Sequence, residues 1–455
     1  MTDVVARLRA AVGDRVDTGA AAREAARADK SGFRADARPL AVVHAASTAD
    51  VQAVLRIAHE TRTPVVARGA GTGLAGGANA GAGEIALSLR GMDRILEVSP
   101  DDLVAVVEPG VVNADLNAAL APHGLWWAPD PASRAISTVG GNIATGAGGL
   151  LCAKYGVVRD AVLGLDVVLA DGRLIRTGHR SVKGVTGLDL TALLIGSEGT
   201  LGIVVGATLK LRRLVQGEVC TLTAVFPDVR AAAAASAAVT ATGAQPAVME
   251  LLDAAAVAAV SAHLGQVVGA PGSAQLTVQT DGPAAAAEAE AIAAVLARGG
   301  GDVSLTRDRE EGERLLAFRR AMHPAIEARG TALIEDVSVP RSRLPEMFDE
   351  IARVERQHGV AIPTVAHAGD GNLHPNFVFD GAEVPQRIWD AADDLFRAAL
   401  RLGGTLTGEH GVGVLKRRWL ADELGDDQWR LQRDIARVFD PHGILNPGKV
   451  FAPES

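Results

Sequence analysis

The stretch RGAGTGLAGGANAGAGE, residues 68–84, decides how this chain is interpreted. It follows the apolar run PVVA, which predicts a β-strand. Its residues Gly71, Gly73 and Gly76 satisfy the pattern G-x-G-x-x-G, which in a dinucleotide-binding turn must open a helix. More glycines follow at once, and each would cost about 1 kcal/mol inside a helix. The sequence therefore predicts a long loop whose backbone amides can bind an anion, with a flexible surface loop as the alternative.

Two further glycine-rich segments lie downstream. STVGGNIATGAGG, residues 137–149, is expected to form a second loop, and the prolines of WWAPDPAS, residues 126–133, stiffen the approach to it. GSEGTLGIV, residues 196–204, predicts a third turn. Three such segments, each able to present backbone amides, indicate one large ligand that contains a pyrophosphate.

Composition excludes several classes of protein. With 54 acidic and 45 basic residues the formal charge is −9, which is unsuited to a nucleic-acid backbone. Aromatic residues are 3% of the chain, too few for a base-stacking surface. Cys152 and Cys220 form no CxxC pair, so a cysteine metal cluster is excluded. No run approaches the ~20 apolar residues of a membrane span, and the first residues do not resemble a signal peptide. We expect a cytoplasmic protein, with peripheral membrane contact left open.

A second group of motifs combines histidines and a carboxylate. In HAGDGNLH, His367 and His374 flank an Asp-Gly turn, and GEHG places Glu409 beside His410. If strands flank the turn, the two imidazoles can enter one pocket, where Glu409 completes a His₂-Glu site for Zn²⁺ or Mn²⁺ with positions open to substrate. The alternative is a set of unrelated histidines.

Together these motifs and the C-terminal NPGKV, residues 446–450, resemble the FAD-dependent D-2-hydroxyacid dehydrogenase family, which has the vanillyl-alcohol-oxidase-type fold. The family includes D-lactate dehydrogenase, the FAD subunit of glycolate oxidase and D-2-hydroxyglutarate dehydrogenase. The resemblance covers most of residues 39–450. It implies an α+β chain with N-terminal helices at 1–38, a two-subdomain FAD-binding domain at 39–214, a substrate (cap) domain carrying the metal site at 215–410, and a C-terminal segment at 411–455 that packs on the FAD domain.

The resemblance also implies which residues bind the cofactor. We expect the FAD to be non-covalent, because the first loop has neither of the residues, His or Cys, to which related proteins attach a flavin. The first loop would hold the pyrophosphate, the second segment would lie along the flavin, and Glu198 with residues 202–204 would face the adenosine and ribityl parts. The implied cofactor-binding residues are Arg68, Gly69, Ala70, Gly71, Thr72, Gly73, Leu74, Pro129, Asp130, Ser133, Thr138, Gly141, Asn142, Glu198, Gly202, Ile203, Val204 and Asn446.

For the reaction, the resemblance implies His367, His374 and Glu409 as metal ligands and His410 as the base. The α-carbon of a D-2-hydroxy acid would pass a hydride to flavin N5 and leave a 2-oxo acid. A carboxylate substrate needs a guanidinium, and we assign Arg319 to it, with Asn372 as a further substrate-binding residue.

The substrate and the partners remain open at this stage. Ile334 stands where D-2-hydroxyglutarate dehydrogenases carry a lysine, which favours D-lactate or glycolate. The alternatives are a D-2-hydroxyglutarate dehydrogenase, a hydroxyacid oxidase that uses O₂, and a non-catalytic flavoprotein subunit of an electron-transfer complex. A flavoprotein, quinone or cytochrome electron acceptor and a homodimer are compatible with the family; nucleic acid is not an expected partner.

Overall fold

The computed structural model describes residues 2–381 and 383–452, and the chain divides into two units. The first unit comprises Met1–Gly149, Gly156–Leu214 and Glu409–Ser455. The second comprises Leu150–Tyr155 and Val215–Gly408.

The elements are numbered in chain order. The helices are α1 Thr2–Val12, α2 Ala20–Ala25, α3 Thr48–Thr61, α4 Asn113–Leu120, α5 Val139–Thr145, α6 Cys152–Tyr155, α7 Leu190–Leu194, α8 Val229–Ala241, α9 Ala254–Leu264, α10 Ala285–Arg298, α11 Arg309–Arg320, α12 Met322–Glu327, α13 Leu344–His358, α14 Gln386–Arg401 and α15 Leu420–Phe439. The strands are β1 Val16–Asp17, β2 Ala41–His44, β3 Val65–Arg68, β4 Ile85–Ser88, β5 Ile95–Ser99, β6 Val104–Val107, β7 Leu125–Trp126, β8 Val162–Val168, β9 Leu174–Gly178, β10 Ile203–Lys210, β11 Arg212–Arg213, β12 Glu218–Phe226, β13 Val248–Leu252, β14 Ala274–Gly282, β15 Asp302–Thr306, β16 Thr331–Ile334, β17 Val337–Ser338, β18 Thr364–His367 and β19 Asn372–Phe379.

The first sheet of the first unit has the order β1-β2-β4-β3, and β2, β4 and β3 are parallel. Helix α3 makes the crossover from β2 to β3. The Ser47 side chain caps it by accepting from the Asp50 amide at 3.2 Å. Its apolar face, which includes Val51, Val54 and Leu55, is fully buried in the core beneath the sheet. The strand β3 ends at Arg68, so the sheet delivers the first glycine-rich loop.

The second sheet of the first unit is antiparallel, in the order β5-β6-β10-β8-β9. Its core also includes buried side chains of α4, α5 and α7, among them Leu116, Ile143 and Leu194. The start of β10 carries the third glycine-rich segment, whose turn ends at Gly202. A glycine-rich segment therefore adjoins one strand in each sheet of this unit: the first follows β3, and the third leads into β10.

The end of the chain returns to the first sheet. Helix α15 is kinked at Gly425, whose φ of 69° favours glycine. Beyond it, Leu445 forms a parallel bridge with Val65, and the Asn446 amide donates to the Val65 carbonyl at 2.8 Å. The NPGKV segment therefore lies beside the edge strand β3, and the end of β3 leads into the first loop.

The second unit contains one antiparallel sheet in the order β15-β12-β14-β13-β18-β19-β16, with β17 paired to β19. Helices α9, α11 and α12 bury Val257, Phe318 and Ile326 in a core that also contains Val365 of β18. The sheet places β13, β18 and β19 side by side.

The structure differs from one sequence-based expectation. The segment 137–149 was expected to be a loop, but it contains α5, because the Thr138 hydroxyl caps that helix by accepting from the Gly141 amide at 3.2 Å. In residues 2–381 and 383–452, no helix has the length and apolar character needed to cross a membrane.

Candidate active site

The three glycine-rich segments meet inside the first unit. A Cβ atom on Gly69 would lie 2.5 Å from the Thr138 Oγ1 atom, and one on Gly77 would lie 3.0 Å from Glu198 Oε2. The first loop is not helical, as its glycine content predicts. Side chains at these positions would fill the space between the segments, so glycine keeps the backbone amides within reach of a ligand.

The C-terminal segment joins the same group. The side-chain amide of Asn446 donates to the Gly77 carbonyl at 2.9 Å and to the Glu198 carbonyl at 2.7 Å. Both Asn446 and Glu198 have left-handed backbones, with φ of 45° and 51°. Asn446 therefore ties the first and third segments together.

The carboxylate of Glu198 accepts hydrogen bonds from two backbone amides. It accepts from the amides of Val412 at 2.7 Å and Gly413 at 2.9 Å. Burial raises the pKa of Glu198 to about 7, against the opposing effect of those two bonds. The Glu198 side chain therefore holds the backbone two residues after His410. The sequence predicted a contact between Glu198 and the cofactor but did not predict this role.

Arg68 also binds backbone. Its guanidinium donates to the carbonyls of Ala28 at 2.7 Å and Ala78 at 3.0 Å, and burial lowers its pKa. These bonds tie the start of the first loop to Ala78 within it and to Ala28 in the segment after α2. The loop residues Gly69, Ala70, Gly71, Thr72, Gly73 and Leu74 are half-buried. Backbone amides in such a loop are able to bind an anion.

The other predicted cofactor residues lie in three places: at the start of β10, before α5 and in the first turn of α5. Gly202, Ile203 and Val204 are buried at the start of β10; the latter two side chains lie in the apolar cores, so only their backbone can face a ligand. Pro129, Asp130 and Ser133 form the rigid approach to α5, where the Pro129 carbonyl accepts from Asn113 Nδ2 at 2.9 Å. Gly141 lies in the first turn of α5.

The donors and acceptors around these segments fit a large polar ligand such as FAD. Within the described residues, Ser137 Oγ, Asn142 Nδ2 and Asn446 Oδ1 are buried and have no hydrogen-bond partner. Buried polar atoms are nearly always hydrogen-bonded. Three orphaned atoms on the segments that converge indicate that a bound group supplies their partners.

In the second unit, the turn 368–371 joins β18 to β19 and brings two imidazoles together. His367 lies opposite Asn372, and His374 lies two residues further along β19, so all three side chains share one face of the sheet. The two rings are 5.1 Å apart in an edge-to-face arrangement, and a ring nitrogen of each lies within 4.8 Å of the other. Both rings are buried, and together they can ligate one ion.

A buried carboxylate supports His367 from the neighbouring strand. Glu250 of β13 is fully buried and accepts from His367 Nδ1 and from Arg319 Nε, each at 2.6 Å. Burial alone would raise the pKa of Glu250, but the charges of His367 and Arg319 outweigh it and hold the pKa below its usual value. We call these three residues the Glu250 cluster.

Asn372 and Asp336 complete the polar face. Within the described residues, the buried Asn372 Oδ1 has no hydrogen-bond partner. Gly408 is the last residue of the second unit, and a Cβ atom there would lie 2.6 Å from Asn372 Cγ. Any larger residue at this position would collide with the Asn372 side chain. Asp336 accepts from the Thr407 hydroxyl, and its Oδ1 lies 4.0 Å from His374 Nδ1.

Glu409 and His410 begin the last segment of the first unit. His410 Nε2 is 3.6 Å from Glu409 Oε1, and the two side chains are 12% and 14% exposed. A Cβ atom on Gly148, at the end of the second glycine-rich segment, would collide with the Glu409 carboxylate. That segment therefore accommodates Glu409 only because it ends in glycine.

Two of these acidic residues were missed by the sequence analysis. Glu250 lies in the run VMELL, and Asp336 lies in LIEDVSV. A carboxylate inside an otherwise apolar strand is itself a signal, because ionised groups are rarely buried without a partner. The partner is what the sequence does not show.

Comparisons with known proteins agree with this geometry. Residues 39–178 match the family described as FAD binding domain, and residues 216–450 match FAD linked oxidases, C-terminal domain. The chain is 39% identical to glycolate oxidase subunit GlcD of Bacillus subtilis, over 92% of this chain and 90% of that protein. It is 36% identical to D-lactate dehydrogenase of Archaeoglobus fulgidus, over 90% of each.

Solved structures show the fold. p-Cresol methylhydroxylase superposes with a TM-score of 0.79 at 18% identity, over 99% of this chain and 97% of that one. 4-Ethylphenol oxidase from Gulosibacter chungangensis gives 0.77 at 19%, over 100% and 97%. The expected α+β fold of the vanillyl-alcohol-oxidase type is thereby confirmed, and the chain belongs to the FAD-linked oxidoreductase family that includes glycolate oxidase subunit GlcD and D-lactate dehydrogenase.

Proposed function

We propose that this enzyme oxidises a short D-2-hydroxy acid, with D-lactate or glycolate favoured, to the 2-oxo acid. The names of its relatives, a glycolate oxidase subunit and a D-lactate dehydrogenase, support that substrate class. The observation that carries the proposal is the polar face of the second unit, where two buried imidazoles, a guanidinium and an unpartnered amide oxygen lie together. A non-catalytic subunit would need none of them.

His367, His374 and Glu409 are the residues that would hold a divalent ion, Zn²⁺ or Mn²⁺. They have the types and number that an open metal site requires. Support comes from the closeness of the two imidazoles and from Gly408, which packs on Asn372 and is one peptide bond from Glu409. A bound ion would supply Lewis-acid chemistry, lowering the pKa of the substrate hydroxyl.

Arg319 is the proposed partner of the substrate carboxylate. Its Nε atom binds Glu250, and no hydrogen bond from its two terminal nitrogens is present in residues 2–381 and 383–452. A guanidinium oriented in this way presents its other edge to a carboxylate. Asn372 lies on the same face as His367 and offers its amide to the substrate.

His410 is the proposed base. Glu409 is its neighbour, and Glu198 holds the chain just beyond it, so the imidazole is confined while it takes the hydroxyl proton. Bound FAD supplies the two-electron oxidant for the hydride of the α-carbon. We propose that the cofactor is non-covalent, because the first loop contains no His or Cys.

The preference for a monocarboxylate rests on Ile334. This half-buried side chain lies on β16 opposite Asn376, so an apolar group stands in the sheet beside the polar face. A second substrate carboxylate would gain no charge partner from it. We therefore expect D-2-hydroxyglutarate to be a poorer substrate than D-lactate or glycolate.

The test is anaerobic mixing of FAD-loaded protein with D-lactate, L-lactate, glycolate or D-2-hydroxyglutarate, following the flavin band near ~450 nm. We expect bleaching by D-lactate or glycolate, lost after chelation and restored by Zn²⁺ or Mn²⁺. A yellow protein that no hydroxy acid bleaches would overturn the proposal.

Admission of air to the reduced sample separates a dehydrogenase from an oxidase. Slow reoxidation in air that is accelerated by a quinone or cytochrome would assign electron transfer to an external acceptor. Rapid reoxidation by air alone would assign the O₂-using alternative.

A further inference from the structure

The Glu250 cluster connects two residues to which the proposed function gives different tasks. Arg319 belongs to α11 and His367 to β18, and the Glu250 carboxylate on β13 binds both. Glu250 lies directly opposite His367 in the β13–β18 register. The carboxylate, with one oxygen on each partner, therefore sets the distance between a proposed metal ligand and the proposed substrate clamp.

The hydrogen bond to Glu250 determines which nitrogen of His367 carries a proton. An ionised carboxylate only accepts, so Nδ1 must be the donor. In the neutral imidazole Nε2 is then the unprotonated atom, the form that ligates a metal. A carboxylate behind a ligating histidine also fixes the orientation of its ring.

The carboxylate near the other histidine makes different contacts. The Asp336 Oδ1 atom is 4.0 Å from His374 Nδ1, beyond hydrogen-bond distance, and its Oδ2 accepts from the Thr407 hydroxyl. The two buried carboxylates near the imidazoles are thus not equivalent. Glu250 also binds the guanidinium of Arg319.

We propose that Glu250 is a positioning residue that orients His367 for the metal and Arg319 for the substrate carboxylate at the same time. This inference rests on the proposed function. It predicts that one substitution weakens both metal binding and substrate binding, although Glu250 touches neither ligand.

The test compares Glu250→Gln with the wild-type, FAD-loaded full chain. A glutamine amide accepts only at its oxygen, so the bond to one of the two partners must be lost or reversed. Zn²⁺ and Mn²⁺ affinities are measured by titration against a competing chelator. We expect them to fall about 10- to 100-fold in the variant, and the KM for D-lactate or glycolate to rise.

Asp253→Asn is the matched control. Asp253 is a half-buried carboxylate directly after the same strand, and it caps α9 by accepting from the Ala256 amide at 2.7 Å. It binds neither His367 nor Arg319, so its substitution should leave metal affinity and KM unchanged. Equal losses in both variants would show a general effect of buried charge and overturn the proposal.

A readout without metal separates this inference from the proposed function. In metal-free protein with ¹⁵N-labelled histidine, the chemical shifts of His367 report its tautomer; the signal is assigned with His367→Gln. We expect protonated Nδ1 in the wild type and a mixture of tautomers in Glu250→Gln. The same tautomer in both proteins, with wild-type metal affinity, would overturn the positioning role.

If the wild type binds neither Zn²⁺ nor Mn²⁺ but shows the Glu250-dependent tautomer, the proposed metal function fails and the orientation of His367 by Glu250 stands. Glu250→Asp gives the same comparison if Glu250→Gln does not fold, because it keeps the charge and shortens the side chain. It should rescue part of the metal affinity. A fully wild-type Glu250→Asp would show that the reach of the carboxylate is irrelevant and would overturn the proposal.

Discussion

The Nδ1 atom of His367 lies 2.6 Å from the Oε1 atom of Glu250, 117 residues earlier in the chain. The pair is formed by direct register between β13 and β18, and the Glu250 carboxylate has no exposed surface. A charge in such a place persists only with partners of opposite charge or hydrogen-bond donors. His367 and Arg319 supply both. The same two contacts therefore stabilise the buried carboxylate in the sheet and position the side chains of His367 and Arg319.

Arg319→Lys is expected to lower kcat/KM for the hydroxy acid by about 10- to 100-fold, since a charged hydrogen bond contributes about 1.5–3 kcal/mol and lysine cannot reproduce the planar fork. Steady-state kinetics measures the change. Arg320→Lys is the control: Arg320 is the next residue on α11, is exposed and pairs with Glu313 at 2.9 Å. A comparable loss in both variants would remove the substrate role of Arg319.

His410→Asn is expected to slow flavin reduction by about 10²- to 10⁴-fold, the usual contribution of a general base. The FAD content should stay at the wild-type level, because His410 is not among the proposed cofactor contacts. Stopped-flow absorbance gives the rate, and the spectrum of the purified protein gives the content. His123→Asn, at an exposed position of the same unit, is the control. An unchanged reduction rate in His410→Asn would exclude this base.

Gly69→Ala is expected to weaken FAD binding by about fivefold or more. The added Cβ would lie 2.5 Å from Thr138 Oγ1, so the hydroxyl that caps α5 must move, and a lost cap costs about 1 kcal/mol. Fluorescence titration of apoprotein with FAD measures the affinity. Gly81→Ala, in the same loop, meets its nearest atom at 3.5 Å and should bind FAD normally. Normal binding by Gly69→Ala would contradict the packing argument.

Asp253 should make stability depend on pH. Burial raises its pKa from 3.8 to about 7, although the backbone amides of Ala256 and Thr364 oppose the shift. The folded protein therefore binds a proton more tightly than the unfolded chain. The resulting stabilisation is complete below about pH 4 and is lost as the pH rises through about 7, by at most about 1.4 kcal/mol per pH unit.

Asp253→Asn should remove that slope from the free energy of unfolding, measured with denaturant between about pH 5 and 8. Asp228→Asn is its counterpart, because Asp228 caps α8 with a 2.8 Å bond to the Ala231 amide but is exposed. It should leave the slope in place. A slope that survives in Asp253→Asn would assign the pH dependence to another group.

Much of the fold could be predicted because its signals are local. The cap at Ser47 follows from residue type and spacing, and the alternation of strands and helices around Thr48–Thr61 follows from apolar periodicity. The cap at Thr138 was not anticipated, because the glycine content of residues 137–149 predicted a loop. The interpretation of the first loop depended on glycine content alone. The strand β13 was missed because a short apolar run with one carboxylate has no periodicity to distinguish it.

The site could be predicted only in part. The proposed metal ligands lie in two short motifs, so residue type and spacing marked them. Arg68 and Glu198 were marked as cofactor contacts, yet their side chains bind backbone carbonyls and amides of the unit itself. Whether a charged side chain faces a ligand or braces its own loop depends on which backbone groups the fold leaves without partners, and that is a property of the folded chain.

By itself, then, the sequence determined the family and the FAD cofactor, and it marked the two imidazoles and the carboxylate proposed as metal ligands, because these depend on residue type at short spacing. Only the tertiary structure decided that Glu250 binds both His367 and Arg319, and that Asn446 closes the glycine-rich loops. Those contacts join segments far apart in the chain through strand register and buried hydrogen bonds. Neither leaves a periodic or compositional signal in the sequence.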